Sequence, residues 1–351
     1  MNQKIVLDQL EFYTNHTCNF NCTGCNRFNN YKFQGLQTWD EYKDVHRAWA
    51  EKLDLKHYRI LGGEPLMNPD IIKWIRGLRE LWPTSSAQIT TNGSIHKRFD
   101  KELYNALLET KTALFIGLHN NNRRKEVSDL LEKFLVHPLK VEPFPKNIKD
   151  IPNFENNWKT SYNKIRAESW PDCDSIDDWD TLPAYIKKEC EDVHHFSPKY
   201  LIEERTGYEI EDSNGLKVRI QTENFFHQGA LIRQEEYNTF TLHNSDPEKA
   251  HSICHSKKCH HMMYGKISKC GQSVLFKEFA EQFVVDLSDE DRELVAGYTP
   301  CSVTENLDEF FNNIDNTIPQ CKFCPEEYIS EEINSQVSRD NFGKRVKLFK
   351  K

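Results

Sequence analysis

The stretch Cys18-Asn-Phe-Asn-Cys22-Thr-Gly-Cys25 follows a β-like segment and spaces three cysteines as CX3CX2C. Three thiolates on one tight loop can hold three irons of a [4Fe-4S] cube and leave the fourth iron open. An open iron can bind and cleave a cofactor, so the spacing indicates chemistry more than scaffolding. The structural alternative is a zinc knuckle or a set of unlinked buried thiols, although zinc sites normally present paired cysteines.

A second motif, Leu61-Gly62-Gly63-Glu64-Pro65, also stands at a strand end. With both motifs the chain resembles the radical S-adenosylmethionine (SAM) superfamily. The resemblance implies that the fourth iron binds the amino and carboxylate groups of SAM. Reductive cleavage of SAM would then give a 5′-deoxyadenosyl radical, which removes a hydrogen atom from the substrate. Gly62, Gly63, Glu64 and Pro65 would lie along the methionine part of SAM, where glycines permit a close backbone approach.

Two further strand ends carry candidate SAM contacts. The run Thr90-Thr91-Asn92-Gly93 ends the third predicted strand, and the resembled superfamily has a similar run beside SAM. Thr91 and Asn92 are therefore expected near SAM, although Asn-Gly also suits an ordinary strand-ending turn. His119 ends the fourth predicted strand, where the superfamily often places a polar contact to SAM; a plain barrel-mouth residue is the alternative.

The first half of the chain alternates strand-like and helix-like segments, which is typical of parallel β/α units. Strands are predicted at Gln9–Thr14, His57–Leu61, Ser86–Thr91, Ala113–Leu118 and Leu139–Pro143, with a sixth candidate at Lys217–Gln221. Helices are predicted at Trp39–Leu53, Pro69–Leu81, Lys101–Glu109 and Lys125–Phe134. The resemblance implies an α/β fold, a partial (β/α)6 TIM-like barrel whose strand C-termini face the active site.

Residues 146–215 do not continue the alternation of strand-like and helix-like segments. This stretch is acidic and rich in Trp, and it is predicted as an insertion. Substrate recognition is one role for it, and a surface excursion without a catalytic part is the other. The barrel would then comprise residues 1–145 and 216–250. A small Cys-rich module would occupy residues 251–330, followed by a basic tail at 331–351.

The C-terminal third contains a second group of cysteines: Cys254, Cys259, Cys270, Cys301, Cys321 and Cys324. The layout resembles the twitch module, which is the short form of the SPASM domain. In that module a first cysteine is followed by a spacer, a glycine, four residues and a second cysteine, and a CX2C pair comes later in the chain. The resemblance implies one auxiliary [4Fe-4S] cluster held by Cys270, Cys321, Cys324 and a fourth thiolate. Cys254 fits the spacing to Gly265, and Cys259 is close enough to substitute.

Two alternatives remain for these thiols. A four-cysteine zinc site would use the same CX2C spacing. Cys301 has no ligand-type partner nearby in sequence, so it is a free thiol, a fifth candidate ligand or a catalytic acid.

Bulk properties narrow the class of protein. The chain has 351 residues, 38% of them hydrophobic, which is enough for a large barrel and a smaller module. Its net charge of −8 argues against nucleic-acid binding, and it shows neither a signal peptide nor a membrane span. We therefore expect a cytoplasmic protein whose 11 cysteines serve metal or cluster ligation.

The sequence favours an oxygen-sensitive radical SAM enzyme that receives electrons from a donor such as flavodoxin or ferredoxin. Relatives with twitch modules suggest oxidation or epimerisation of a small polar metabolite, sugar-like or cyclitol-like. A peptide-modifying maturase is one alternative, disfavoured because Cys18 comes too early for an obvious leader-binding domain. Another is a non-catalytic Fe-S or zinc-binding protein that retains the barrel fold.

Overall fold

The computed structural model describes residues 4–20, 22, 25–29, 33, 35–119, 123–136, 138–143, 207–222, 225–227, 231–234, 239–254, 256–327 and 330–332. Most of the predicted insertion at 146–215 and of the predicted tail at 331–351 therefore lies outside the described residues.

The described strands, in chain order, are β1 (Ile5–Tyr13), β2 (Leu53–Leu61), β3 (Ser86–Thr91), β4 (Thr112–Leu118), β5 (Pro138–Pro143), β6 (Gly207–Asp212), β7 (Lys217–Thr222), β8 (Phe225–His227), β9 (Leu231–Gln234), β10 (Thr239–Leu242), β11 (His260–Met263), β12 (Lys266–Ser268), β13 (Val285–Asp286) and β14 (Ser330–Glu332). The described helices are α1 (Trp39–Lys52), α2 (Ile71–Leu81), α3 (Lys101–Thr110), α4 (Arg124–Phe134), α5 (Pro247–Ser252), α6 (Gly271–Gln282), α7 (Asp289–Gly297) and α8 (Leu307–Asn313).

A nine-stranded sheet in the order β12-β11-β1-β2-β3-β4-β7-β6-β5 organises the fold. The six strands from β11 to β7 run parallel, and β12, β6 and β5 extend the two edges in antiparallel pairs. The parallel core with helices between its strands is the predicted α/β fold of a partial TIM-like barrel. All four predicted helices and the first four predicted strands are present.

The order of the remaining parallel strands differs from the expectation. The sequence places Leu139–Pro143 fifth, but β5 pairs antiparallel with β6 at the sheet edge, so that position is wrong. Instead β7 lies beside β4, and β11 from the C-terminal third lies beside β1. Hydrophobic alternation identifies a strand, but it does not encode the direction of the strand or its neighbour.

The parallel sheet has one apolar and one polar face. Leu10 and Phe12 on β1 are fully buried in a core that includes Trp49 and Trp74 from the helices. The alternate residues of the same strand include Gln9 and Glu11, which are polar. A parallel sheet covered on both faces is normally apolar throughout. The polar face therefore indicates where a ligand site lies.

The C-terminal part is tied directly to this sheet. Strands β11 and β12 form a hairpin whose turn residues Tyr264 and Gly265 have φ of 51° and 72°. Behind the hairpin lies a second apolar cluster with Phe240, Phe279 and Phe323. No helix within the described ranges is long and apolar enough to cross a membrane.

Asp212, at the end of β6, joins three elements. Its carboxylate accepts hydrogen bonds from Tyr104 Oη on α3 at 2.5 Å, Val136 N at 3.2 Å and Leu216 N at 2.9 Å. Burial raises the pKa of Asp212, but these hydrogen bonds outweigh it and the net pKa is lowered. The contribution to stability is present above the pKa of an unfolded aspartate, about 3.9, and is lost as pH falls through the folded value.

We expect Asp212→Asn to lower the free energy of unfolding by about 2 kcal/mol at pH 7, because hydrogen bonds to a charged acceptor are lost. Urea unfolding of metal-free protein measures this. The difference from the parent should shrink below about pH 4. Asp8→Asn is the control, since Asp8 is 71% exposed in its pair with Lys56 and should change stability by about 0.5 kcal/mol or less. Equal losses in both variants would contradict the prediction.

Candidate active site and C-terminal cysteine site

The predicted cysteine triplet lies in the loop that follows β1. Cys22 is buried against Phe20, and Cys18 and Cys25 pack half-buried against the same pair. Cys25 N donates to Cys22 O at 3.3 Å, and Phe28 N donates to Cys25 O at 3.0 Å, so the loop is a tight turn. Three thiols with little solvent contact on one turn form a donor set that suits an iron–sulfur cluster with one open iron.

The Gly-Gly-Glu-Pro run pairs with the chain that leads into this loop. Gly63 N donates to Asn15 O at 2.6 Å, and Glu64 N donates to Thr17 O at 2.8 Å. A Cβ added at Gly62 would lie 2.5 Å from Asn15 O, and one at Gly63 would lie 2.4 Å from Thr17 O. The sequence predicts a close approach of SAM at these glycines, and the close approach that the structure describes is that of the protein's own backbone.

Glu64 is fully buried and fixes the surroundings of the triplet. Its carboxylate accepts hydrogen bonds from Leu66 N at 3.0 Å, Thr91 Oγ1 at 2.6 Å and Asn92 N at 2.7 Å. Burial is the largest influence on the Glu64 carboxyl, and its pKa is raised. Because both oxygens are occupied, Glu64 connects the end of β3 to the turn at Pro65.

The third and fourth strands bring their predicted residues to the same edge of the sheet. Asn92 Nδ2 lies 3.9 Å from Cys18 Sγ and 3.1 Å from Asn19 Oδ1. His119 is half-buried at the end of β4, and burial together with the charge of Arg123 lowers its pKa to about 4. Its imidazole is therefore neutral at pH 7 and can donate one hydrogen bond and accept another.

Arg123 is a residue of this edge that the sequence reading missed. Its guanidinium donates to the Asn92 carbonyl at 2.9 Å and the Gly93 carbonyl at 3.3 Å. Its Cζ also lies 5.1 Å from the centre of the Phe20 ring. It thereby links the loop that contains the cysteine triplet to the turn after β3. An arginine directly before a helix in a polar loop gives no distinctive sequence signal.

Four of the C-terminal cysteines line one cavity of about 100 Å³: Cys254, Cys270, Cys321 and Cys324. Cys259 is not among its lining residues and instead lies 3.5 Å from Gln9 Nε2. Cys301 is 1% exposed and forms an isolated β-bridge with Ile267 away from this cavity. The structure thus places Cys254 in the lining of the cavity and Cys259 and Cys301 outside it, whereas the sequence spacing left these cysteines as alternatives.

The electrostatics of these thiols reflect their proximity. Burial raises the pKa of Cys254 to about 11, and Cys270 and Cys321 add to this increase. Burial likewise raises the pKa of Cys324, with further contributions from Cys270, Cys254 and Cys321. Neighbouring thiols thus add to the raised pKa values of Cys254, Cys321 and Cys324, and binding a metal centre would lower this cost of ionisation.

A zinc ion and an iron–sulfur cluster require different distances between their four sulfur ligands. Among the described residues, no three His, Cys, Asp or Glu side chains converge as a single metal ion requires. Zinc would draw four sulfurs to roughly 3.8 Å from one another, since each Zn–S bond is about 2.3 Å. A cubane cluster places its ligands on four separate irons, so its four sulfurs lie farther apart than those of a zinc site.

A buried charged network separates the two groups of cysteines. Glu11 is 3% exposed and binds Arg27 at 2.9 Å and His261 at 2.6 Å. Burial would raise the pKa of Glu11, but Arg27 and His261 lower it far below its usual range. Arg27 follows Cys25 by two residues and also lines the C-terminal cavity. The signal for this network was an acidic residue inside an apolar strand, since a buried carboxylate requires partners.

The family model of the radical SAM superfamily matches residues 12–148. The GTP 3',8-cyclase of Staphylococcus aureus strain Mu3 is 29% identical over 234 residues, covering 58% of this chain and 68% of that protein. The GTP 3',8-cyclase of strain JH9 is 28% identical over the same shares.

Two solved structures are also similar. BtrN in complex with AdoMet and 2-DOIA is 21% identical, with a TM-score of 0.28, covering 33% of this chain and 47% of that one. Streptococcus suis SuiB bound to S-adenosylmethionine is 20% identical, with a TM-score of 0.31, covering 37% of this chain and 31% of that one. The matched region thus spans less than half of either solved chain.

The match to the radical SAM superfamily model covers residues 12–148 and includes both motifs from which the sequence predicts this superfamily. The superfamily match and the cyclase relatives also support an enzyme.

We expect Gly63→Ala to lower the free energy of unfolding of metal-free protein by about 2–3 kcal/mol, because its Cβ would collide with backbone atoms of His16 and Thr17. Urea unfolding measures the loss. Gly297→Ala is the matched control, since no atom lies within 4 Å of an added Cβ there. A Gly63→Ala variant as stable as the control would show that the segment before Cys18 can move away without cost.

Proposed function

We propose that this chain is a radical SAM enzyme whose Cys18, Cys22 and Cys25 hold a [4Fe-4S] cluster. When bound, the cluster and SAM supply reductive cleavage to a 5′-deoxyadenosyl radical that abstracts hydrogen from substrate. The observation that carries the proposal is the packing of the three cysteines around Phe20 in one loop, beside Asn92 and the Gly62–Pro65 run. That loop lies at the carboxyl ends of parallel strands, where barrels place their chemistry.

The surrounding residues take different roles in this proposal. Gly62, Gly63 and Pro65 would contact SAM through their backbone, while the Glu64 carboxylate positions the loop because it already accepts three hydrogen bonds. Thr91 donates to that same carboxylate, so its part is also to position the edge of β3. Asn92 would offer its amide to SAM beside Cys18. His119 would offer a neutral imidazole at the end of β4.

We further propose that Cys254, Cys270, Cys321 and Cys324 hold an auxiliary [4Fe-4S] cluster in a twitch-like module. Their shared cavity supports Cys254 over Cys259 as the fourth ligand. A zinc ion is the alternative occupant, since the same four thiols would also satisfy a four-cysteine zinc site. A donor such as flavodoxin or ferredoxin would supply electrons, and we expect the enzyme to be cytoplasmic and oxygen-sensitive.

The proposed substrate is a small polar metabolite, sugar-like or cyclitol-like, which is oxidised or epimerised. A phosphorylated nucleotide is the second candidate, because the matched relatives are GTP 3',8-cyclases. Arg59 favours this second candidate. Its guanidinium is 38% exposed and reaches Glu11 only at 3.8 Å, while Glu11 is bound more closely by Arg27. One carboxylate thus serves two guanidiniums, which leaves positive charge available for an anionic group.

We expect anaerobic reconstitution with iron, sulfide, SAM and dithionite to give about eight irons per chain and to release 5′-deoxyadenosine. Cys22→Ala should abolish the release and leave about four irons. Cys254→Ala should remove about four irons, whereas Cys259→Ala, five residues away, should retain the full content. Release that persists in Cys22→Ala would contradict the radical mechanism. Equal iron loss in both C-terminal variants would contradict the choice of Cys254.

For a phosphorylated substrate, we expect Arg59→Gln to weaken binding of GTP to the SAM-loaded enzyme at least tenfold, about 1.4 kcal/mol, because a charged hydrogen bond is lost. Isothermal titration calorimetry under anaerobic conditions measures the affinity. Arg59→Lys should retain most of the affinity. The control Arg76→Gln removes an arginine of α2 that pairs with Glu109 at the surface. Unchanged GTP affinity in Arg59→Gln would contradict the role of Arg59, and no GTP binding by the parent would favour an uncharged substrate.

A further inference from the structure

Lys269 is a buried cation beside the C-terminal cysteine cavity. Its side chain lies in the connection between β12 and α6, directly before Cys270, and the residue is only 4% exposed. The backbone around it is held on both sides, because Lys269 N donates to Tyr298 Oη at 2.9 Å and Lys269 O lies 2.8 Å from His260 Nδ1. The position of the ammonium is therefore fixed by the fold.

Among the residues that the structure describes, the ammonium of Lys269 has one hydrogen-bond acceptor and no paired anion. Its Nζ donates to the Ile314 carbonyl at 2.9 Å. Within the described part of the chain, no Asp or Glu oxygen lies within 4.0 Å of it. Buried charges in proteins are normally paired, since an isolated ammonium in a low-dielectric interior is costly. Burying this charge therefore costs free energy unless an anion forms nearby.

The cysteines of the cavity are groups beside Lys269 that become anionic when they bind a metal centre. Lys269 lines that cavity together with Cys254, Cys270, Cys321 and Cys324. Burial raises the pKa of Cys254 and Cys321, and the charge of Lys269 acts in the opposite direction on both thiols. Arg27 also lines the cavity, but its guanidinium is already paired with Glu11 at 2.9 Å. Among the described residues that line the cavity, Lys269 is thus a buried cation without a carboxylate partner.

We propose that Lys269 is the internal counter-cation of the four-cysteine site. Four thiolates around a [4Fe-4S] cube or around a zinc ion leave a net double negative charge in either case. The Lys269 ammonium offsets part of this charge inside the protein, where water cannot. This inference rests on the proposed function, because it requires that the four cysteines hold a metal centre.

The test uses the sign of a stability change in two forms of the full-length chain. In a Cys18→Ala, Cys22→Ala, Cys25→Ala background, only the C-terminal site can load. Lys269→Met should raise the melting temperature of the metal-free form, because it removes an uncompensated buried charge. The same substitution should lower the melting temperature of the loaded form, by about 3 °C or more, because the anionic centre loses its counter-charge. A purely structural lysine would shift both forms in the same direction.

Two further variants make the comparison specific. Lys269→Arg keeps the positive charge and should retain the stability of the loaded form. Lys266→Met removes an exposed lysine of the same hairpin and should leave both forms unchanged. Opposite shifts in Lys269→Met alone support the inference, and parallel shifts overturn it.

Metal content separates failure of this inference from failure of the proposed site. If the triple-alanine background retains neither iron nor zinc, the four-cysteine site is wrong and the role of Lys269 fails with it. If metal is retained, its identity distinguishes a cluster from zinc. For a cluster, the reduction potential of the intact enzyme, followed by electron paramagnetic resonance, gives a second measurement. Lys269→Met should make the auxiliary cluster harder to reduce, and an unchanged potential would overturn the inference.

Discussion

Two backbone hydrogen bonds, from Gly63 N to Asn15 O and from Glu64 N to Thr17 O, hold the start of the cysteine loop against the end of β2. This pairing is possible only because no side chain stands at residues 62 and 63. The position of Cys18 relative to the sheet depends on it, and so does the meeting of Cys18 with Asn92. Glu64 extends the same arrangement to β3, because its buried carboxylate accepts hydrogen bonds from both sides.

Several charged residues on the polar face of the sheet share one buried partner, Glu11. Glu11 is surrounded by Arg27 and His261, and it lies opposite Arg59 on β2 and His261 on β11. A single buried carboxylate can orient several cations at once, provided that the strands bring them into register. Arg27 thereby extends from the loop that contains the cysteine triplet to the C-terminal cavity. The same residue thus lies between the two groups of cysteines.

Much of this arrangement could be predicted from sequence, because local patterns carry it. The CX3CX2C spacing, the glycine pair at a strand end and the helical periodicity of α1 to α4 each need only a short window of residues. The place of β5 and the neighbours of β1 and β4 could not be predicted, because they depend on contacts between distant segments. The choice between Cys254 and Cys259 could not be predicted for the same reason. Both thiols precede β11, and only the packing of that strand on β1 shows which of them lines the cavity.

The pairing of β11 with β1 makes the C-terminal third a structural necessity for the barrel and not an appendage. Without β11, β1 would present a free edge of unpaired backbone groups, the kind of surface that recruits other strands and promotes aggregation. The described parallel sheet is therefore complete only once β11, at residues 260–263, has been synthesised. The same pairing that covers the edge of β1 also brings the C-terminal cysteine cavity beside the loop that contains the cysteine triplet, because Arg27 of that loop lines the cavity.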